Sequence, residues 1–192
     1  MEKIIKFIQT TFKQQGFTKA IVSVSGGIDS AVSLMLTVKA LGKDNVYSLQ
    51  LPYKKHQSLE LSDLVINQAG IPKNQRLVIN IGRPADKLAI KLNAKKDQVR
   101  LGNILARVRM ICLFDQAKKL KALVVGTENK SEKMLGYFTR FGDAASDLEP
   151  IAHLYKTEVI KLAQELGVSE AIIQAAPTAG LWPGQTDELE LG

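Results

Sequence analysis

The sequence predicts an α/β fold, a single-domain doubly wound parallel sheet with helices on both faces. Short runs rich in β-branched residues alternate along the chain with longer segments whose apolar residues recur at helical spacing. This alternation is typical of right-handed βαβ crossovers, which cover both faces of a parallel sheet with helices. No repeat or linker divides the 192 residues, a length that suits one domain. We therefore expect residues 1–192 to form one domain.

The first three elements surround a glycine turn. Residues 1–16 mix charged and apolar positions at helical spacing and end in glycine, which predicts an amphipathic helix and argues against a signal peptide. Residues 20–24 are rich in β-branched side chains and predict the first buried strand. After the turn, apolar residues at helical spacing predict a second helix, which ends at Gly42.

The remaining elements follow from the same two periodicities. Further strands are predicted at residues 45–51, 76–81 and 122–125. Helices are predicted at residues 58–70, with Ser58 as the cap, and at residues 84–92, 103–120, 156–166 and 169–176. A loop punctuated by glycines is expected from the end of the fourth strand to residue 150.

The composition is ordinary for a soluble globular protein. Hydrophobic residues make up 45% and charged residues 23% of the chain, and no segment is apolar for long enough to span a bilayer. The single cysteine, Cys112, excludes an internal disulfide and fits a cytoplasmic location. The net charge of +7 comes from dispersed lysines without interleaved aromatic residues. This pattern favours a small polyphosphate substrate over nucleic acid.

The loop SGGIDS, residues 25–30, joins the first strand to the second helix. Gly26 and Gly27 allow main-chain N–H groups to approach an anion at the helix N-terminus, and the two serines add hydroxyl donors. Two glycines alone are typical of a tight βα turn without a ligand, and the loop matches neither the Walker pattern nor G-x-G-x-x-G. Asp29 needs a cation between itself and a bound anion, which indicates a Mg²⁺ ligand in a phosphate-binding loop.

A second polar loop, GTENKSE, spans residues 126–132 directly after the fourth predicted strand. In open parallel sheets, ligands bind in the crevice outside the carboxyl ends of the strands. We therefore expect this loop and SGGIDS to meet at one crevice.

Five motifs in this order resemble the NAD synthetase family of the ATP pyrophosphatase superfamily. They are SGGIDS, GNILARVRM at residues 102–110, GTENKSE, GYFTRFGDAASD at residues 136–147 and LYKTEV at residues 154–159. SGGIDS alone indicates only the superfamily, whereas the combination is specific to the synthetases. The resemblance covers nearly all of the chain from residue 19 onward and implies an adenine nucleotide α-hydrolase-like, Rossmann-like sheet.

The resemblance implies an ATP- and Mg²⁺-dependent ligase. ATP would adenylate the nicotinate carboxylate of deamido-NAD and release pyrophosphate. Ammonia would then attack the mixed anhydride to give NAD and AMP.

The resemblance also implies roles for individual residues. The expected catalytic residues are Asp29, Glu132 and Lys156, with Asp29 and Glu132 as Mg²⁺ ligands. The expected ATP-binding residues are Ser23, Val24, Ser25, Gly26, Gly27, Ile28, Asp29, Ser30, Thr127, Lys156 and Thr178. The expected deamido-NAD contacts are Arg107, Arg140 and Asp147.

Several of these residues also have a purely structural alternative. Glu132 would favour the dipole of any helix that begins beside it. Thr127 would satisfy backbone groups in a turn, and this role can coexist with one in ATP binding. Lys156 would be an ordinary solvated lysine, and its assignment depends on the LYKTEV match.

Other polar residues have mainly structural interpretations. Arg109 is expected to be an ion-pair partner, and Asp143 either caps a following segment or orders the loop over the substrate. Cys112 lies among apolar residues at helical spacing and is expected in the core. Since a glutaminase nucleophile would need a paired histidine, the ammonia is expected to be free or delivered by another protein. His56 and His153 lack metal-ligand spacing, so zinc is not expected.

Members of this family usually continue with a C-terminal tail beyond the segment that corresponds to residues 177–192, and we expect this chain to lack that tail. We accordingly expect residues 177–192 to be mobile. The family is typically homodimeric, and we expect the same here. The alternatives are a truncated nucleotide-binding homologue with little activity and another amidating or thiolating ligase of the superfamily. An RNA-binding protein is the remaining alternative.

Overall fold

Four parallel strands form one sheet at the centre of the structure, a computed structural model that describes residues 1–53 and 59–175. The strands are β1 (Lys19–Ser23), β2 (Val46–Gln50), β3 (Arg76–Val78) and β4 (Ala122–Val125). Their order across the sheet is β3-β2-β1-β4, and every neighbouring pair is parallel. The predicted parallel sheet is therefore confirmed.

The described part of the chain contains eight α-helices. They are α1 (Glu2–Gln15), α2 (Ile28–Leu41), α3 (Glu60–Gln68), α4 (Gly82–Lys91), α5 (Gln98–Leu120), α6 (Lys130–Leu135), α7 (Lys156–Glu165) and α8 (Glu170–Ile173). Among these helices, none is both long and apolar enough to cross a membrane.

Helices cover both faces of the sheet because the side chains of a strand alternate between its faces. In β1, Ala20 and Val22 belong to a buried hydrophobic layer that includes residues of α1, α2 and α7. Ile21 belongs to a second buried layer, which includes residues of α4 and α5. In β4, Val125 belongs to the first layer and Val124 to the second. This arrangement confirms the doubly wound architecture.

The direction in which the chain crosses the sheet reverses at β1. From β1 the chain moves to β2 and β3 on one side, and α5 then brings it to β4 on the other side. The loops that follow β1 and β4 therefore leave neighbouring strands at the carboxyl edge of the sheet. Such a reversal opens a crevice in which doubly wound folds bind their ligands.

β3 is shorter than predicted, because regular pairing ends at Val78. Backbone hydrogen bonds continue beyond it, from Ile79 N to Gln50 O and from Ile81 N to Pro52 O, both at 2.9 Å. Pro52 has no N–H group, so the neighbouring segment cannot donate in return. Beyond Val78, hydrogen bonds between the two segments are donated from the β3 side only. Regular strand pairing therefore ends there.

Two helices differ clearly from the prediction. α5 begins five residues early, at Gln98 instead of 103, because the Asp97 carboxylate caps it by accepting Arg100 N–H at 3.0 Å. α6 was not predicted at all, and it lies in the expected loop. The predicted cap Ser58 and residue 176 lie outside the described residues.

Candidate active site

The turn after β1 is closed by short hydrogen bonds. Ser30 Oγ donates to Gly27 O at 2.9 Å, and Gly27 N donates to Ser25 Oγ at 3.2 Å. Ser25 and Gly27 are exposed, whereas the Val24 and Ile28 side chains are buried in the first hydrophobic layer. The exposed face of the turn is therefore polar, and Val24 and Ile28 have only their main chains to offer a ligand.

The first turn of α2 follows directly, from Ile28 to Ser30. Helical geometry leaves the N–H groups of a first turn without intrahelical acceptors, and the helix dipole favours an anion beside them. Ser23, the last residue of β1, is half-buried behind the turn. This geometry is compatible with the phosphate-binding function predicted for residues 23–30, which stays a prediction.

Gly26 is required by the packing of this turn. Its φ is +94°, a conformation that side chains rarely adopt, and a Cβ atom there would lie 3.0 Å from both Leu61 Cβ and Ser62 N. Ser62 in turn accepts Gln50 Nε2–H at 2.7 Å. The turn is thus held against the start of α3 and the end of β2.

The loops after β1 and β4 meet at Asp29, as the sequence predicts. Asn129 Nδ2 donates to Asp29 Oδ1 at 2.9 Å. Lys156 Nζ lies 2.5 Å from Asp29 Oδ2, and the two side chains are 27% and 16% exposed. One carboxylate, that of Asp29, is therefore the meeting point of three segments that are distant in sequence. They are the start of α2, the start of α7 and the loop before α6.

α6 begins with a capping box. Glu132 N donates to Asn129 Oδ1, and Asn129 N donates to Glu132 Oε2, both at 3.0 Å. Lys156 N donates to Ser131 Oγ at 3.1 Å, which ties the start of α7 to the start of α6. The structural interpretation of Glu132, a helix N-terminal glutamate, is therefore correct, and it does not exclude a role in metal binding.

The Glu132 carboxylate lies in an acidic environment. Burial and, after it, the charge of Asp29 raise the pKa of Glu132 to about 7, although the Asn129 hydrogen bond and Lys156 oppose the shift. A cation shared by Asp29 and Glu132 would relieve this accumulated negative charge. The pair therefore fits the predicted Mg²⁺.

The described residues contain no group of three or more His, Cys, Asp or Glu side chains that could hold a metal ion. Among residues 1–53 and 59–175, no histidine is hydrogen-bonded to the group around Asp29. Mg²⁺ that arrives on a polyphosphate needs only one or two protein carboxylates, since phosphate oxygens and water complete its shell. The donor set around Asp29 suits such a substrate-borne ion.

The predicted contacts to the second substrate form a separate group. Arg107 Nε donates to Arg140 O at 3.3 Å, and the Arg140 guanidinium lies 4.9 Å from the centre of the Phe141 ring. Both arginine side chains are exposed. α5 and the loop after α6 therefore present two neighbouring cations to solvent.

Asp147 lies elsewhere. Its Oδ2 accepts Val124 N–H at 2.7 Å on the edge of β4, and it lines a cavity with Phe17, Phe114 and Lys118 near the start of that strand. Within the described residues it is not joined to the group around Asp29. Its role toward deamido-NAD stays a prediction.

Thr127 is half-buried between β4 and Asn129, next to the group around Asp29. Its predicted contact with ATP stays a prediction. Thr178 lies outside the described residues.

Arg109 and Asp143 connect the end of β2 with the loop after α6. Arg109 Nε donates to Leu51 O at 3.2 Å, and its charge attracts the Asp143 carboxylate. Asp143 Oδ1 accepts Thr139 N–H at 2.8 Å. These contacts agree with the loop-ordering interpretation of Asp143. Cys112, as expected, packs against the second hydrophobic layer.

Sequence reasoning missed two polar residues here, Asn129 and Glu128. Asn129 holds both Asp29 and the start of α6, and the capping-box spacing N-K-S-E was the available signal. Glu128 is only 5% exposed, and its N–H donates to Glu149 Oε2 at 3.1 Å. No pattern in one sequence distinguishes such buried glutamates from exposed ones. Burial and the neighbouring charges of Glu149 and Asp143 raise the pKa of Glu128 to about 7.

The raised pKa of Glu128 predicts a pH-dependent gain in stability for Glu128→Gln. Between its ordinary value of 4.5 and about 7, the folded chain holds a proton that the unfolded chain has lost. The free energy of unfolding therefore falls as the pH rises through this range, and the full penalty is present above it. We expect Glu128→Gln to raise the free energy of unfolding by about 1–3 kcal/mol at pH 8 and by little at pH 5.

Urea unfolding at the two pH values would measure this difference, with Glu165→Gln, an exposed glutamate on α7, as the matched control. An equal effect of Glu128→Gln at both pH values would contradict the ionisation account.

Known proteins with similar sequences agree with these observations. The family model described as NAD synthase matches residues 1–192. The NH(3)-dependent NAD(+) synthetase of Thermococcus kodakarensis is 45% identical over 192 residues, which are all of this chain and 74% of that protein.

Two solved structures have the same fold. An NMN synthetase from Francisella tularensis has a TM-score of 0.90 at 34% identity, and the match covers all of this chain and 79% of that one. An NH3-dependent NAD synthetase from Campylobacter jejuni has a TM-score of 0.83 at 36% identity and covers 90% of this chain and 74% of that one. The family match, the 45% identity and the shared fold show that this chain belongs to the NAD synthase family of ligases.

Proposed function

We propose that this ligase is an ammonia-dependent NAD synthetase, which uses ATP and Mg²⁺ to convert the carboxylate of deamido-NAD into the amide of NAD. The observation that carries the proposal is the convergence of Asp29, Glu132 and Lys156 at the reversal point of the sheet. Within a chain of this family, that convergence supplies both metal-binding carboxylates and a phosphate-binding cation.

The chemistry requires activation of the carboxylate, because oxide is too poor a leaving group for direct attack by ammonia. A carboxylate oxygen attacks the α-phosphorus of ATP, and the bond to the β-phosphate oxygen breaks to release pyrophosphate. Ammonia then adds to the acyl carbon of the resulting anhydride. The C–O bond to AMP breaks, and the nitrogen loses a proton as the amide forms.

The residues of this chain have three tasks in that sequence. The first turn of α2 and Lys156 hold phosphate oxygens, since both present positive charge to the crevice. Asp29 and Glu132 hold Mg²⁺, which when bound neutralises charge on the phosphates. Thr127 contacts ATP beside them. Holding both substrates in one water-poor crevice then favours transfer over hydrolysis.

Arg107 and Arg140 bind the deamido-NAD through its phosphates or carboxylate, and Asp147 is proposed as a third contact. A guanidinium presents a planar fork that matches these anions.

We expect Arg107→Ala to raise the KM for deamido-NAD about tenfold and to leave the KM for ATP within twofold, since losing one exposed charged contact costs about 1.4 kcal/mol.

Steady-state kinetics with each substrate varied in turn would measure this split, and Arg83→Ala, an exposed arginine on α4, is the control. Equal losses for both substrates would remove Arg107 from the deamido-NAD site.

A second candidate substrate is the corresponding mononucleotide. The NMN synthetase of Francisella tularensis, whose fold matches over the whole chain at a TM-score of 0.90, supports this alternative. Purified protein would be assayed with ATP, Mg²⁺ and ammonium, against deamido-NAD, nicotinate mononucleotide, xanthosine monophosphate and tRNA.

Amide formation with the dinucleotide at the highest kcat/KM would support the proposal. Preference for the mononucleotide would support the second candidate, and activity only with one of the last two would overturn both.

We also propose a homodimer in the cytoplasm. Support for the dimer comes from large apolar side chains that are exposed on and near α5 and α6. They are Val99, Ile111, Met134, Leu135, Phe138 and Phe141. Light scattering coupled to size-exclusion chromatography would measure the mass, and a monomer at micromolar concentration would contradict this assembly.

A further inference from the structure

Asn129 contacts both of the proposed metal-binding carboxylates. Its side-chain Nδ2 donates to Asp29 Oδ1 at 2.9 Å, and its main-chain N donates to Glu132 Oε2 at 3.0 Å. The two carboxylates belong to the first turns of different helices, α2 and α6. A single residue therefore orients one carboxylate from each of the two loops that meet at the crevice.

The Asn129 side chain is itself held in one orientation. It is fully buried, and its Oδ1 accepts Glu132 N–H at 3.0 Å. Its main-chain O accepts Lys133 N–H at 3.2 Å. Turning the amide over would place oxygen against the Asp29 carboxylate and nitrogen against an N–H donor, so the two partners determine which way it points. The Nδ2 donor is therefore held against Asp29 Oδ1.

Each carboxylate keeps one oxygen that Asn129 does not contact. For Asp29 this oxygen is Oδ2, which lies 2.5 Å from Lys156 Nζ. For Glu132 it is Oε1, to which no group in residues 1–53 and 59–175 is hydrogen-bonded. A cation that uses both oxygens of a carboxylate has to compete with the donor on one of them. The Asn129 donors therefore favour a cation that binds one oxygen of each carboxylate.

We propose that Asn129 is a positioning residue that makes the metal site selective for Mg²⁺ over Ca²⁺. The inference rests on the proposed function, which supplies the ATP-bound metal. Mg²⁺ requires near-octahedral geometry and is bound by one or two carboxylates together with substrate phosphates. Ca²⁺ takes roughly six to eight oxygens and readily uses both oxygens of one carboxylate. Carboxylates that offer one oxygen each suit Mg²⁺ and leave Ca²⁺ short of ligands.

The position of Asn129 explains why this residue type is needed. Ser, Thr, Asp and Asn all accept N–H groups at a helix N-terminus, and Asn129 does so at the start of α6. Of these four, asparagine alone also carries an amide N–H donor. Aspartate would place a third carboxylate beside Asp29, and serine is shorter, with one hydroxyl in place of two amide atoms. Both substitutions therefore keep the helix cap and remove the amide donor.

Calorimetric binding of α,β-methylene-ATP, whose α–β bridge resists cleavage, tests the selectivity without turnover. We expect the wild-type protein to bind the Mg²⁺ complex of this analogue about tenfold more tightly than the Ca²⁺ complex. In Asn129→Ser the two affinities should come within about twofold, because Ca²⁺ can then use both oxygens of Asp29. Binding of the analogue alone, in EDTA, should stay within about twofold of wild type.

Asn129→Asp is a second variant with a larger expected effect. Its added carboxylate should make the Ca²⁺ complex bind more tightly than the Mg²⁺ complex. Asn74→Ser is the matched control, because Asn74 is exposed at the amino end of β3, away from the carboxyl edge that forms the crevice. It should keep the wild-type ratio. Melting temperatures would confirm that each variant folds, and the aspartate variant decides the test if the serine variant does not fold.

A wild-type ratio of the two affinities in the Asn129 variants would overturn the proposal. Equal losses for the Mg²⁺ complex, the Ca²⁺ complex and the metal-free analogue would also overturn it, because Asn129 would then only shape the crevice. Comparable binding of the two complexes by the wild-type protein would show that the site is not selective.

Failure of this inference can be told from failure of the proposed function. Wild-type protein that makes the amide, together with an unchanged ratio in the variants, would remove the role of Asn129 and leave the function. Wild-type protein that binds the Mg²⁺ complex selectively but forms no amide from any tested carboxylate would remove the function, and the variants would still decide the role of Asn129. Binding of neither complex would remove both.

Discussion

Asp29→Asn is expected to lower kcat/KM for ATP-dependent amide formation by about 10²–10³-fold and to leave the fold intact. The Asp29 carboxylate is the point where three segments of the crevice meet, and it supplies one of two proposed metal ligands. Asparagine keeps the size of the side chain and an oxygen that can accept from Asn129. It removes the charge that binds a cation.

Initial rates across a range of Mg²⁺ concentrations would measure this loss, with circular dichroism to confirm folding. Asp44→Asn is the matched control, because Asp44 is an exposed aspartate just beyond the C-terminus of α2, at the opposite end of that helix from Asp29. Turnover of Asp29→Asn within a few-fold of the wild-type rate would show that Asp29 does not bind the metal.

Lys156→Met is expected to lower kcat/KM for ATP about a hundredfold and yet to strengthen the binding of Mg²⁺ alone. Lys156 Nζ lies 2.5 Å from Asp29 Oδ2 in the free protein, where it neutralises the carboxylate that the metal needs. On our account, Lys156 Nζ would leave Asp29 and contact phosphate oxygens once ATP and Mg²⁺ are bound. Removing it frees Asp29 for the metal and removes a phosphate contact.

Calorimetric titration with MgCl₂ in the absence of ATP would separate the two effects, and Lys161→Met, an exposed lysine on the same helix, is the control. Lys156 also opposes the rise in the pKa of Glu132, so the acid limb of the rate profile should move to higher pH in this variant. Mg²⁺ binding that is weakened or unchanged would mean that Lys156 and the metal do not compete for Asp29.

The fold could be predicted because its elements have strong local signals. β1 and β4 are β-branched runs buried on both faces, and the turn after β1 is bounded by two glycines. The start of α5 was misplaced because the cap at Asp97 lies in a polar stretch with few apolar residues to reveal the period. α6 was missed because six residues are too few to show helical periodicity.

The residues of the candidate site were likewise predicted only where the sequence carries a local signal. Asp29, Glu132 and Lys156 were predicted from motifs, and parallel strands bring the ends of such motifs together. The roles of Asn129 and Glu128 depend on side-chain contacts across the chain, which a single sequence does not contain. Asp147 illustrates the same limit, since its hydrogen bond to the backbone of β4 follows from tertiary packing and from no local pattern.

Activation of the carboxylate by transfer of AMP can be followed with an oxygen-18 label. Deamido-NAD labelled on both nicotinate carboxylate oxygens would be converted to completion with ATP, Mg²⁺ and ammonium. Mass spectrometry would then locate the label in the products. If AMP is transferred to the carboxylate, we expect one labelled oxygen in the AMP phosphate and the other in the amide of NAD. Unlabelled AMP, or label in inorganic phosphate together with ADP, would contradict it.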